Sequence, residues 1–247
     1  MLSATDKKTF LLGGHQLPYS FFADNGNGEN GWIVDFINQL FQNIFKISLV
    51  MLENENVREF PIAYSEEQTY STIANAIGKM TPYHVSEMYI GKNNNKKRYV
   101  DFWCRCIDEK ESGKIRDIWI ECKNLWFNIG KNAKLEQTTK YQGIIQKAIG
   151  QIKTIENKME KDSFRVAFFS VYLYYHVSNQ HQQLHSMCNK AYERIRQAIT
   201  DNSKGYIVYS ILDLRETIQD DNKEKILKKN KRRESLSNIF RTIYLSK

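Results

Sequence analysis

The sequence predicts an α/β protein in which helices flank a mixed central sheet. From residue 65 onward, helix-like and strand-like segments follow one another in the order α-β-β-β-α-β-α-β. Three of the strand-like runs are joined by short polar connections, which favours an antiparallel meander. A later run, residues 163–177, is apolar almost throughout, as expected for a strand that is buried on both faces. Together these features favour a sheet that lies between helices.

Residues 1–60 are predicted to be an N-terminal extension with one helix. Residues 1–30 are rich in glycine, asparagine and aromatic residues ("GGHQLPYSFFADNGNGENG"), which favours turns and a loosely ordered lead-in. From Trp32 to about Leu52, apolar residues recur at helical spacing. This spacing predicts an amphipathic helix that packs its apolar side on the rest of the protein.

A second helix is predicted in "YSEEQTYSTIANAIGKM", residues 64–80. Ser65 fits the N-cap position, and Gln68, three residues later, completes a capping box. The buried stripe of this helix is expected at Tyr70, Ile73 and Ile77. Glu66 lies on the same stripe and has two interpretations. It complements the positive end of the helix dipole together with Glu67, or it belongs to a site built on the strands that follow.

The strand-like runs are "YHVSEMYIG", "KRYVDFWCRCID" and "IRDIWIECKNLWFNI". After them the pattern predicts a helix over residues 135–160, the buried strand, a helix over about 181–200 and a last strand in "GYIVYSILDL".

The domain prediction has three parts. A core over residues 61–215 follows the N-terminal extension and precedes a basic C-terminal segment over residues 216–247. No proline- or serine-rich linker separates them, so one domain with an extension is the expected organisation.

The composition indicates a globular protein with an anionic partner. Hydrophobic residues make up 41% of the chain and the formal net charge is +8. Such an excess suits nucleic acid or an acidic membrane surface. The most hydrophobic run, "IFKISLVML", is far shorter than the roughly 20 residues of a membrane span. Four clustered cysteines do not suggest a disulfide scaffold, so we expect a reduced, cytoplasmic protein that does not enter a membrane.

Acidic residues in successive strands predict a metal site. Asp101 shares a strand face with Trp103 and Arg105, and Glu121 shares a face of the next strand with Lys123. If the strands are neighbours, the two carboxylates converge, and a divalent cation is the simplest way to offset their repulsion. Mg²⁺, with Mn²⁺ as an alternative, prefers such oxygen ligands, and a neighbouring lysine would stabilise negative charge in phosphodiester hydrolysis.

These residues resemble the motif of the PD-(D/E)XK nuclease superfamily, whose members have a restriction-endonuclease-like fold. The matching residues are Val100 and Asp101 ("VD") and Glu121, Cys122 and Lys123 ("ECK"). The resemblance implies that Asp101 and Glu121 bind metal, with the Cys122 carbonyl as a third ligand. It also implies that Lys123 activates water or stabilises charge, and that Glu66 supplies an additional acid. Valine stands where the family usually has proline.

Two further segments are predicted to contact nucleic acid. Gln137 and Tyr141 are four residues apart on a predicted helix, and "QTTKY" resembles the Q-x-x-x-Y motif of the RecB-like branch, although Thr138 departs from the usual hydrophobic residue. The run "KEKILKKNKRRE", residues 223–234, is strongly basic and has two interpretations. It contacts the phosphates of a nucleic acid, or it forms a solvated helix face or a frayed tail. Its candidate contacts are Lys228, Lys229, Arg232 and Arg233.

The expected function is that of a Mg²⁺-dependent endonuclease acting on DNA. A first alternative keeps the nuclease fold but only binds nucleic acid or protein, in a defence, mobile-element or host-directed system. A second alternative is a basic α/β interaction protein in which Asp101, Glu121 and Lys123 form surface ion pairs and the two acids lie far apart. The chain leaves a homodimer open, and it does not distinguish DNA from RNA or one cleavage sequence from another.

Overall fold

The computed structural model describes residues 6–12, 15–23, 31–54, 66–93, 95–108, 113–128, 136–155, 163–176, 184–202, 206–213 and 234–246. Side chains are described for a smaller set, which leaves out those of Glu66, Gln137 and residues 234–246. The described residues form eight strands and four helices. In chain order they are β1 (Asp6–Leu12), β2 (His15–Ala23), α1 (Gly31–Glu53), α2 (Glu66–Gly78), β3 (His84–Asn93), β4 (Lys96–Asp108), β5 (Lys114–Asn128), α3 (Glu136–Lys153), β6 (Ser163–His176), α4 (Leu184–Asn202), β7 (Tyr206–Asp213) and β8 (Glu234–Ser246).

The strands form one mixed sheet in the order β1-β2-β7-β8-β6-β5-β4-β3. The pair β5–β6 is parallel and the other pairs are antiparallel. The predicted meander is therefore confirmed as β3, β4 and β5. The parallel pair follows from the chain path, because α3 carries the chain from the end of β5 back to the start of β6.

Helices cover both faces of the sheet, which confirms the predicted mixed α/β arrangement. The α1–α2 core is the cluster of buried residues on one face and includes Phe41, Ile73, Ile120 and Phe168. The α3–α4 core lies on the other face and includes Ile149, Ile199, Trp119 and Phe169. Both clusters take alternate residues of β5 and β6, so these two strands are buried on both sides.

The loosely ordered lead-in predicted for residues 1–30 is wrong for the two described segments. β1 and β2 form an antiparallel hairpin, and β2 pairs with β7. Leu17, Tyr19 and Phe21 alternate along β2 and are 1%, 1% and 2% exposed. Burial of this alternate set against α1 outweighs the turn preference of the surrounding glycine and asparagine residues.

The C-terminal end adds a strand that was not predicted from the sequence. β8 lies between β7 and β6. Lys228, Lys229, Arg232 and Arg233 lie outside the described residues. The division at residues 60 and 215 stays a prediction, although β1, β2 and β8 belong to the same sheet as the core strands.

Candidate functional site

Strands β4 and β5 part at the position of the predicted site. Their described pairs run from Asp108–Lys114 to Phe102–Ile120. Before Phe102 on β4, the described pairs are with β3. After Ile120 on β5, the described pairs are with β6, as far as Asn128. Asp101 and Glu121 are the first residues past the last β4–β5 pair. We call this opening, with Asp101, Glu121, Cys122 and Lys123 around it, the fork.

Hydrogen bonds and ion pairs join the residues of the fork. The Cys122 amide donates to Oδ2 of Asp101 at 2.6 Å, where a ladder bond would otherwise continue. Lys123 Nζ donates to the Cys122 carbonyl at 2.7 Å. The same Nζ lies 3.1 Å from Glu121 Oε1 and 3.9 Å from Asp101 Oδ2. One ammonium therefore serves two carboxylates and a carbonyl, and the two acids that the sequence predicts together do converge.

The charged side chains of the fork are largely buried. The exposed side-chain fractions are 16% for Asp101, 18% for Lys123 and 4% for Glu121. Removing such charges from water costs several kcal/mol per ion, and the ion pairs and hydrogen bonds of the fork offset this cost. This geometry differs from that expected of a basic interaction protein, in which the three residues form surface ion pairs and the two acids lie far apart.

The surroundings of the fork on β6 are apolar. In the β5–β6 register, Glu121 stands beside Ala167 and Lys123 beside Phe169, and both neighbours belong to the α3–α4 core. Leu125 continues the buried face of β5 beyond Lys123. An apolar wall strengthens the electrostatic interactions of the site, because it lowers the local dielectric constant.

A cleft of about 190 Å³ reaches Glu121 from the side of β4. Lys97, Arg98 and Tyr99 line it, together with Gln151 at the end of α3. Arg98 donates to the Gln151 carbonyl at 3.5 Å and to the Thr154 hydroxyl, which fixes the guanidinium against α3. Lys97, Arg98 and Tyr99 were not singled out from the sequence, because they form no motif. Their position on β4, two to four residues before Asp101, was the one signal that could have identified them.

The oxygen atoms of the fork suit a divalent cation. Among the described residues, no group of three His, Cys, Asp or Glu side chains is placed to hold a metal ion. Yet Asp101 Oδ2, Glu121 Oε1 and the Cys122 carbonyl all face one cation, the ammonium of Lys123. Mg²⁺ commonly takes one or two carboxylates and completes its shell with waters and substrate phosphate. The donor set of the fork matches that preference.

The additional acid predicted at Glu66 lies outside the described side chains. Its helix, α2, begins at Glu66 and packs Ile73 and Ile77 into the α1–α2 core. Cys122 also packs into that core, so Glu121 and Lys123, which flank it on β5, face the other side of the sheet. A contact between Asn124 Nδ2 and Thr69 Oγ1, at 3.0 Å, brings the first turn of α2 to β5 one residue beyond Lys123.

The structure describes part of the predicted helix motif and two cysteines that face the core opposite to Glu121 and Lys123. Tyr141 is half-buried against the α3–α4 core, and the side chain of Gln137 is not described. Cys104 and Cys106 face the α1–α2 core. A hydrogen bond between their sulfurs, and then burial, raises the pKa of Cys104. The same bond lowers the pKa of Cys106.

Comparisons of the chain with known proteins found no relative. No family model, no curated protein and no solved structure matches the chain. None of the helices that the structure describes is long and apolar enough to cross a membrane.

Proposed function

We propose that the protein is a metal-dependent nuclease that hydrolyses phosphodiester bonds at the fork. The observation that carries this proposal is the convergence of Asp101 Oδ2, Glu121 Oε1 and the Cys122 carbonyl on one buried cation position. A sheet built only for stability gains little from such an arrangement, since apolar residues in place of a buried ion pair are often neutral or stabilising.

We also propose that the core, residues 61–215, has the PD-(D/E)XK arrangement. The support is the element order: α2, the meander of β3, β4 and β5, then α3 and β6 parallel to β5. Asp101 and the Glu121–Lys123 segment lie on the second and third strands of that meander. A cytoplasmic location belongs to the same proposal, and the buried thiols of Cys104 and Cys106 suit a reducing compartment.

Each residue of the fork has a distinct role in the proposed reaction. A Mg²⁺ ion held by Asp101, Glu121 and the Cys122 carbonyl would supply a Lewis acid for the phosphodiester. Asp101 is fixed by the Cys122 amide, so its carboxylate keeps one orientation. Lys123 is held at 3.1 Å from Glu121, where its ammonium can orient a water and stabilise charge that develops on the phosphoryl oxygens.

DNA is the proposed substrate, and the charge distribution supports a nucleic acid. The net charge is +8. Lys97 and Arg98 place two cations in the cleft that leads to Glu121. Cations at this position would offset the phosphate charge that must approach two carboxylates.

The test is a cleavage assay on supercoiled plasmid, linear duplex and single-stranded DNA with Mg²⁺, with Mn²⁺ and with EDTA. We expect metal-dependent cutting by the natural chain and at least about a hundredfold slower cutting by Asp101→Asn and Lys123→Met. Lys79→Gln changes an exposed lysine outside the fork and is the matched control. Binding without cutting, unchanged in these variants, would favour the alternative of a nuclease fold that acts only by binding.

A further inference from the structure

An exposed tyrosine pair lies on the β3–β4 hairpin. Tyr89 and Tyr99 are direct partners in the strand register. Their ring centroids are 5.7 Å apart with an interplanar angle of 61°. The two residues are 43% and 48% exposed, so both rings contact each other and still present surface to solvent. Aromatic rings held in this way offer a flat apolar surface at low cost in conformational entropy.

The same end of the hairpin is strongly basic. Residues 88–99 contain four basic residues and no acidic one. The basic residues are Lys92, Lys96, Lys97 and Arg98. The three lysines are exposed. Such a local charge attracts a polyanion and would hold its phosphates beside the tyrosine pair.

The tyrosine pair is connected to the fork. Tyr99 lines the cleft that reaches Glu121, together with Lys97 and Arg98. Tyr99 also shares a face of β4 with Asp101, two residues further along the strand. Directly beyond the pair the register shifts between Tyr89 and Gly91, and Gly91 has a φ of 120°, which other residues rarely adopt. The bulge gives the hairpin a defined bend next to the rings.

We propose that Tyr89, Tyr99, Lys97 and Arg98 form a binding surface for single-stranded nucleic acid. Bases stack on the tyrosine rings, and the phosphates follow the cations of the cleft toward Glu121. The proposed ligand is single-stranded because bases in a duplex are already stacked on each other, whereas unpaired bases are free to stack on aromatic side chains. This inference adds a substrate-binding surface to the proposed nuclease function. It rests on that function for the statement that the bound strand is then cut.

The test measures binding without cleavage, by fluorescence anisotropy of a labelled oligothymidylate with the full chain in EDTA. Tyr99→Ala is expected to raise the Kd about fivefold or more, which corresponds to the low end of base stacking, about 1 kcal/mol. Tyr99→Phe keeps the ring and is expected to leave the Kd unchanged. Tyr83→Ala is the matched control, because Tyr83 is 57% exposed but does not line the cleft. Thermal melting of each variant checks its fold.

A second variant tests the cations. Lys97→Gln is expected to weaken binding and to reduce the slope of log Kd against log salt by about one. A labelled duplex serves as the comparison, and Tyr99→Ala is expected to leave the Kd for it unchanged.

The outcomes separate this inference from the proposed function. If Tyr99→Ala binds the oligothymidylate as the natural chain does, or if the duplex binds more tightly, the surface is refuted even when Asp101-dependent cleavage occurs. If tyrosine-dependent binding occurs without metal-dependent cleavage, the surface stands and the nuclease proposal fails. If the chain neither binds nor cuts, both are overturned.

Discussion

Replacing Lys123 by methionine should destabilise the protein in metal-free buffer. Methionine has a similar length but no charge, so Asp101 and Glu121 lose the ammonium that lies 3.9 and 3.1 Å from them. Their side chains are only 16% and 4% exposed, so water does not replace the lost cation fully. Breaking a buried pair in this way costs about 3–5 kcal/mol, whereas an exposed pair costs about 0–1 kcal/mol.

The size of the effect can be measured as a melting temperature. For a chain of this length each kcal/mol shifts Tm by about 2–4 °C, so Lys123→Met should melt roughly 6–20 °C below the natural chain. Added Mg²⁺ should restore part of the loss, because a cation can then occupy the position of the missing ammonium. At ten times its Kd the ion would return about 1.4 kcal/mol. The natural chain should gain less, because the ammonium of Lys123 repels an ion bound beside it at the two carboxylates.

Scanning calorimetry in EDTA and in excess Mg²⁺ would test both effects. Lys79→Met, at an exposed lysine after α2, should melt as the natural chain does. In the double variant with Asp101→Asn, the rescue by Mg²⁺ should be lost, because one ligand has gone. A loss of stability below about 1 kcal/mol in Lys123→Met, or an equal response of both chains to Mg²⁺, would refute the cation site.

Three other measurements test the fold around the site. Asp108→Ala leaves the buried Arg116 without its 2.9 Å partner and should cost about 3–5 kcal/mol in urea unfolding; a cost near zero would show that the pair is not buried in solution. Phe21→Ala on β2 should cost about 3–5 kcal/mol, and a much smaller loss would contradict a place for β2 in the core. Iodoacetamide should modify Cys106 before Cys104 in the native protein, since the pKa of Cys106 is lowered and that of Cys104 is raised; equal rates in peptide mass mapping would contradict this order.

The central part of the fold could be predicted because its patterns are local. In α1 the helical spacing of apolar residues matches the side that is buried, and in β6 an almost continuous apolar run marks a strand covered on both faces. The strands β2 and β8 were harder to predict from the sequence. Buried residues alternate along β2, but glycine and asparagine on either side of it mask the alternation. β8 is placed between β6 and β7 by long-range pairing, to which sequence spacing gives no guide.

For the fork, too, the local features could be predicted from the sequence and the three-dimensional ones could not. Strand alternation was enough to place Glu121 and Lys123 on one face and to suggest that Asp101 approaches them. The separation of β4 from β5, the contact of Lys123 with both acids and the role of the Cys122 amide depend on three-dimensional geometry. The tyrosine pair depends on the register of β3 and β4, so neither ring could be singled out from its sequence neighbours.

The most direct test of the central claim is the rate of plasmid cleavage in Mg²⁺ by the natural chain and by Asp101→Asn, purified in parallel. We expect cleavage that EDTA abolishes and that is at least about a hundredfold slower in the variant. Cleavage at the same rate in both proteins would place the activity outside the fork or in a contaminant. Absence of cleavage by a folded natural chain on every form of DNA and RNA would contradict the nuclease proposal.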